Sequence, residues 1–529
     1  MAIYDHIIIG SGINALVCAA VLSERQTVLV VEREGEIGGT MRSDTLAPGF
    51  TYDPMAATFL LFHAGPAFGA LEGPLARAGA TFSTTQSPTG VLTREGRALV
   101  LGKDRAENAA RFDALHPGDG AAYLAEMGDI DANAELLFGL LGTTLLSGKT
   151  AQLLAKSAIK SGIGAVKALI GEALISNRRR LQTTYGSDLV EALFAPWPLH
   201  AGLNPEQPFS GKMGAVMAYA LEGIGAPIAT GGAAKVPEAL KTLIEKNDGI
   251  IRTNADADEI IPGTDGRDVA GLRLVNGEAL SAPSVICCVT PTQLYGRLLR
   301  NWDIPAPVAR GVARYGYGKG NMQIHYALER PVAWPDAALG DVQLLHLADG
   351  IDSVSKATNE AERGLLPERP TVCIGQPTAA DKSRAPEGKA VLWLQLPECP
   401  RTLKGDAAGE IETPADGRWT EAVREAYADR VEAMIAAHVP DFQDTIIARK
   451  AYAPHDLEAM NMNLVGGDPY AGWCGLDQFF VFRPLPTQTN HKTFVPGVHH
   501  IGASTHPGPG LSGTSGWLVA KALQPRARW

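Results

Sequence analysis

Tyr4-Asp5-His6-Ile7-Ile8-Ile9-Gly10-Ser11-Gly12-Ile13-Asn14-Ala15, followed by a return through Thr27-Val28-Leu29-Val30-Val31 to Glu32, decides how this 529-residue chain is read. An apolar strand runs into a glycine turn, the turn opens a helix, and a second apolar strand ends on an acid. That is the βαβ dinucleotide-binding fingerprint in its Gly-x-Gly-x-x-Ala form. Gly10 lets the chain turn sharply out of the strand. Gly12 has no Cβ to hold a pyrophosphate away, and Ala15 is small enough for the helix to lie on the sheet. The N–H groups of Ser11, Ile13 and Asn14 then sit at the positive end of the helix dipole, where phosphates bind. A carboxylate at Glu32 accepts from both ribose hydroxyls and repels the 2′-phosphate of NADP.

A second glycine pair follows at once, in Glu32-Arg33-Glu34-Gly35-Glu36-Ile37-Gly38-Gly39-Thr40-Met41-Arg42-Ser43. NAD dehydrogenases normally continue here with an ordinary helix. The far end adds a third glycine turn, Ile501-Gly502-Ala503-Ser504-Thr505-His506-Pro507-Gly508-Pro509-Gly510-Leu511-Ser512-Gly513, which leads into a closing helix. Its amino terminus is available to an electron-rich group.

These three pieces together resemble the amine oxidase and phytoene desaturase superfamily. The terminal stretch closely resembles the phytoene desaturase-like branch named for pyridine nucleotide-disulfide oxidoreductase domain-containing protein 2. Gly466-Gly467-Asp468, Leu476 to Pro484 and Pro48 to Asp53 are similar to the same branch. The resemblance implies FAD as cofactor and a glutathione-reductase-like Rossmann FAD-binding domain interleaved with an α+β substrate domain, an α/β chain overall. It implies that Arg33, Gly38, Gly39, Thr40, Met41 and Arg42 carry the diphosphate and ribityl chain. Gly502, Gly510, Leu511 and Ser512 would meet the pyrimidine edge of the flavin ring. Ala257 aligns with the strand residue that presents its backbone to the adenine. The FAD-binding domain is expected from residues 1–70, 225–300 and 485–529, and the substrate domain from 71–224 and 301–484.

Composition agrees with an enzyme of small molecules. The net charge of −10 offers no basic stripe for nucleic acid. The six cysteines form neither a Cys-x2-Cys zinc pair nor the Cys-x4-Cys pair of a disulfide reductase, and no metal-binding spacing is present. The cofactor strand starts at Tyr4, which leaves no space ahead of it for a signal peptide, so a cytoplasmic protein is expected. Lys149, Lys156, Lys160 and Lys167 punctuate a mostly apolar stretch up to Ile175, a pattern that permits peripheral membrane contact.

The expected chemistry is hydride transfer from a largely apolar substrate to flavin N5, with oxygen, a quinone or another acceptor taking the electrons. A carotenoid-type cis-trans isomerase and an amine oxidase are the alternatives on the same fold. His506, in the terminal turn, is the candidate base.

Overall fold

The computed structural model describes residues 4–525, the side chains at 161, 163, 165 and 166 excepted. Five parallel strands form its first sheet, in the order Val498–His500, Val285–Cys287, His6–Ile9, Val28–Val31, Ile250–Arg252. Ile8 lies opposite Ile286 on one side and Val30 on the other. The strands Val285–Cys287 and Val28–Val31 read as unbroken apolar runs because both faces are covered. Ile8, Val28, Val30 and Ile286 pack on the helices Ile13–Leu22, Lys235–Lys246 and Thr514–Leu523. Ile7, Ile9, Leu29 and Val31 face a small antiparallel sheet, Ala257–Pro262, Val269–Leu274 and Ala279–Ser281. Strands from the first, middle and last parts of the chain thus share one sheet.

A second sheet of seven strands stands over the carboxyl ends of the first. Its order is Ile446–Tyr452, Gly320–Leu328, Ala390–Cys399, Val372–Gly375, Val342–Leu347, Ser87–Leu92, Ala98–Leu101. Alternation assigns its faces. Met322, Ile324, Tyr326 and Leu328 join Leu392, Leu394 and Leu396 in a core beneath the helix Glu421–Ala436. Asn321, Gln323, Trp393 and Gln395 point the other way, into a cavity.

A buried guanidinium ties the segment ahead of the strand Ala390–Cys399 to the stretch after the strand Phe50–Tyr52 and to the one ahead of the helix Lys235–Lys246. Arg384, 1% exposed, donates to Asp53 Oδ2 at 2.7 Å, to Asp381 Oδ2 at 3.1 Å and to the Ala229 carbonyl at 2.7 Å. Asp53 Oδ1 accepts from the Ala233 N–H and from Ser43, and Asp381 Oδ2 accepts from the Gly231 N–H. Both carboxylates are nearly sealed from solvent. Replacing Arg384 with Met strands two buried acids, and we expect a loss of about 3–5 kcal/mol in unfolding free energy, read by denaturant titration. A loss below about 1 kcal/mol would mean that the joint contributes little.

Candidate functional site

The first glycine turn is held from behind by Glu32. Its Oε2 accepts from the Ser11 N–H at 2.9 Å and the Ser11 hydroxyl at 2.6 Å, and its Oε1 accepts from the Glu34 N–H at 3.0 Å. Ser11 in turn draws in the second turn, since the Gly38 N–H donates to the Ser11 carbonyl and hydroxyl, both at 3.1 Å. The two turns touch: a Cβ on Gly39, at φ +63°, would come within 3.2 Å of Gly12 Cα. A Cβ on Gly12 would meet nothing within 4 Å, because that side of the turn opens into the cavity.

The third turn is clamped onto the opening helix. Ser515 Oγ accepts from the Gly502 N–H and donates to Asn14 Oδ1, at 2.9 and 2.8 Å. Gly516 lies so close to the opening helix that a Cβ would stand 1.8 Å from the Asn14 carbonyl oxygen. Gly510, at φ +103°, is needed for its backbone angle and for packing, since a Cβ there would strike Leu61.

One cavity of about 340 Å³ brings these turns together. Gly10, Ser11, Gly12, Ile13, Asn14, Glu32, Arg33, Gly39, Thr40, Arg42, Ala257, Gly502, Gly510 and Leu511 line it. Ala15, Gly38, Met41 and Ser512 lie behind the wall. Ala15 and Met41 are fully buried, and the Ser512 hydroxyl accepts from the Thr514 N–H at the start of the closing helix. The cradle suits an anionic dinucleotide. Gly12 leaves space for a diphosphate, and Arg42 brings a guanidinium whose buried Nε has no partner among the described residues. Arg297 Nε, on the same cavity, is equally without one.

His506, the expected base, stands apart from the other expected site residues. It is absent from the cavity lining, and its Nε2 lies 3.1 Å from the Leu140 carbonyl in the helix Asp119–Leu141. That contact, 366 residues away in the chain, turns the imidazole into packing. Asp53 belongs to the Arg384 joint. His63 stacks on Phe68 with ring centroids 3.8 Å apart. Asp468 is buried and accepts from the N–H groups of Gly318, Tyr470 and Gly472. Arg483 donates to the carbonyls of Tyr470, Trp473 and Ala503, tying one edge of the cavity to the terminal turn.

Beyond the glycine turns the cavity continues between Trp197, His200, Met217, Leu221, Leu344, Trp393 and Tyr470, with Asn321, Gln323 and Gln395 on the sheet floor. None of these was singled out from sequence. His200 Nε2 lies 2.9 Å from His346 Nε2, so one ring donates to the other. Burial lowers the His200 pKa to about 4, and burial together with the neighbouring His200 holds His346 well below the usual imidazole range. Cys373 sits opposite His346 across the antiparallel strands. His200, His346 and Cys373 therefore bring three ligand-type atoms within 4.8 Å of one another, a grouping that no sequence spacing announces.

A parallel sheet whose glycine turns converge on one cavity, roofed by a second sheet, defines a flavin-dependent oxidoreductase of the glutathione-reductase-like fold. Residues 16–454 match the flavin containing amine oxidoreductase family, and the chain belongs to it. It is an FAD-dependent enzyme within the amine oxidase and phytoene desaturase group. Pyridine nucleotide-disulfide oxidoreductase domain-containing protein 2 of Rattus norvegicus is 27% identical over 97% of this chain and 92% of its own length. The zeta-carotene-forming phytoene desaturase of Myxococcus xanthus is 27% identical over 55% of this chain and 50% of its own. An oxidoreductase from Methanosarcina mazei has the same fold, with a TM-score of 0.60 at 15% identity over 98% of this chain and 99% of its own.

Glu32→Gln tests the cradle. An amide nitrogen cannot accept from Ser11 or Glu34, and the charge is lost. We expect FAD affinity to fall by about 1.5–3 kcal/mol, read by calorimetric titration of the apoprotein. Wild-type affinity in a folded variant would remove Glu32 from the site.

Proposed function

We propose that the protein is a dehydrogenase or oxidase that takes a hydride from an uncharged, largely apolar substrate. One observation carries this reading: every charged residue of the cavity lies toward the dinucleotide end. Glu32, Arg33, Glu34, Arg42, Asp256 and Arg297 are all there, whereas the far end is lined by aromatic, aliphatic and amide side chains. A cationic amine would enter that end with no carboxylate among the described lining residues to offset its desolvation. The desaturases among the relatives, by their names, act on carotenoid hydrocarbons, which supports an apolar body for the substrate.

FAD, when bound in this cradle, would supply the acceptor for the hydride. The chain's own part is to grip the dinucleotide through the three glycine turns, to exclude water between Trp197, Trp393 and Tyr470, and to take the second proton. His200 is the one histidine, carboxylate or ammonium group among the described residues lining the far end. It is neutral above about pH 4, with His346 fixing its ring. Oxygen, a quinone or another acceptor would take up the electrons.

Anaerobic reduction of the yellow protein by a panel of neutral lipophilic compounds and primary amines is the test. We expect bleaching of the flavin by neutral compounds only; bleaching by amines only would overturn the reading. His200→Asn should slow this step by about 10²–10⁴ with FAD content unchanged. The wild-type rate should be flat above pH 5 and fall as His200 is protonated near pH 4. His325 and His491, both buried with pKa lowered to about 3, and His500, lowered to about 4, take up protons on unfolding below pH 6.5. Each such group makes stability fall by up to about 1.4 kcal/mol per pH unit as the solution is acidified below 6.5, so the profile is read by rapid pH jump.

The same reading gives the segment Gly148–Ala173, two helical stretches broken at Gly162, a membrane-surface role. Leu154, Ile159, Ile170 and, just beyond it, Leu174 are 43–86% exposed, and Lys149, Lys156, Lys160 and Lys167 are exposed among them. No helix of the described residues is long and apolar enough to cross a bilayer. Co-sedimentation with anionic phospholipid vesicles should be strong for the wild type and several-fold weaker for Ile159→Glu combined with Ile170→Glu. Equal recovery of both proteins in the supernatant would exclude this role.

A further inference from the structure

The floor of the far end carries an unexplained cost. Asn321 is 1% exposed and lines the cavity, yet neither its Nδ2 nor its Oδ1 has a hydrogen-bond partner among the described residues. A buried amide left unpaired costs about 1–3 kcal/mol for each unmade bond, and such groups are rare in folded proteins. A wall built only for hydrocarbon would carry leucine at this position without that cost.

The backbone places this amide deliberately. The register of Gly320–Leu328 against Ala390–Cys399 shifts between Gly320 and Met322, so Asn321 occupies a bulge. Bulges re-aim a side chain that regular pairing would place elsewhere. One step further along, Gln323 lies directly opposite Gln395, and both line the same cavity. Neither glutamine amide is bonded to another described residue. Three amides therefore share one patch, each with a donor and an acceptor to offer. Trp393, two residues from Gln395 on the same face, stands beside them.

We propose that Asn321, with Gln323 and Gln395, forms a subsite for an uncharged group of the substrate that both donates and accepts hydrogen bonds, of the carboxamide or lactam type. This rests on the reading of the far end as the substrate pocket. It narrows the substrate to a molecule with an apolar body and a neutral polar head, and sets it apart from a bare polyene and from an amine. A carboxamide satisfies both atoms of Asn321 at once. An alkane satisfies neither, and an ammonium group can only donate. A site that hydrogen-bonds its ligand discriminates strongly against analogues lacking the group, because its own polar atoms are then left unpaired.

Calorimetric titration of the FAD-loaded protein with octanamide, octylamine and n-octane tests this without requiring turnover. Octanamide should bind at least about ten-fold tighter than either of the others, the equivalent of one hydrogen bond or more. Asn321→Leu should bring octanamide and n-octane to within about two-fold, with FAD content unchanged. Asn321→Asp should transfer the preference to octylamine, since a carboxylate accepts but does not donate; this second variant keeps the shape of the site if leucine disturbs it. Equal affinity for octanamide and n-octane in the wild type would overturn the subsite, as would an unchanged preference in Asn321→Asp. Octanamide preference in a protein whose flavin no neutral compound reduces would leave the subsite standing and overturn the proposed reaction instead.

Discussion

Arg384 is the buried constraint on which three separate stretches of chain converge. Its guanidinium is nearly inaccessible to water, and it meets two carboxylates and a carbonyl drawn from three separate stretches of chain. A charge so placed is costly unless every partner is present, so the joint holds one arrangement far better than any neighbouring one. Asp53 extends the connection to the Ala233 N–H, immediately ahead of the helix Lys235–Lys246 that packs on the nucleotide sheet. Asp381 extends it to Gly231.

Within the cradle, polarity is arranged in the opposite sense. Glu32 is buried, but its oxygens receive N–H and O–H groups from the turn they support. The carboxylate thereby fixes Ser11, and Ser11 fixes Gly38, before any cofactor is considered. Residues next to Glu32 and Ser11 retain unspent polarity: Arg42 keeps an unpaired buried Nε, and Gly12 keeps open space. The protein satisfies the groups that shape the turn and leaves unsatisfied those that face a ligand. Asn321 repeats this division at the other end.

Local sequence patterns revealed the nucleotide sheet and its turns because each depends on neighbours in the chain. Gly10 needs its positive φ, Gly12 needs its missing Cβ, and the apolar runs His6–Ile9 and Val28–Val31 need only their own residues to be read. The substrate floor follows another logic. Gln323 and Gln395 meet through strand register, and His200, His346 and Cys373 meet across three elements of the fold. A signal was nevertheless present. In Gly320–Leu328 the residues Met322, Ile324, Tyr326 and Leu328 alternate with Asn321, Gln323 and His325, the mark of a strand with one apolar and one polar face. His506 shows the complementary case. Its partner, Leu140, belongs to a helix that no short-range pattern connects to it.

The separation of charge along the cavity bears on how one family fold serves unlike substrates. Charged residues cluster where the dinucleotide brings its own charges, and their cost of burial is offset there by pairing. At the far end the same low dielectric would magnify any uncompensated charge, so selectivity must come from dipoles. Amides suit that purpose. They hydrogen-bond in two senses, carry no net charge, and keep that capacity at every pH at which the fold persists. Exchanging an amide for a carboxylate on this floor alters its charge and its donor capacity while leaving the side-chain shape almost the same. The position of Asn321 on a bulge makes such a change local, since the strand on either side remains in register with its neighbour.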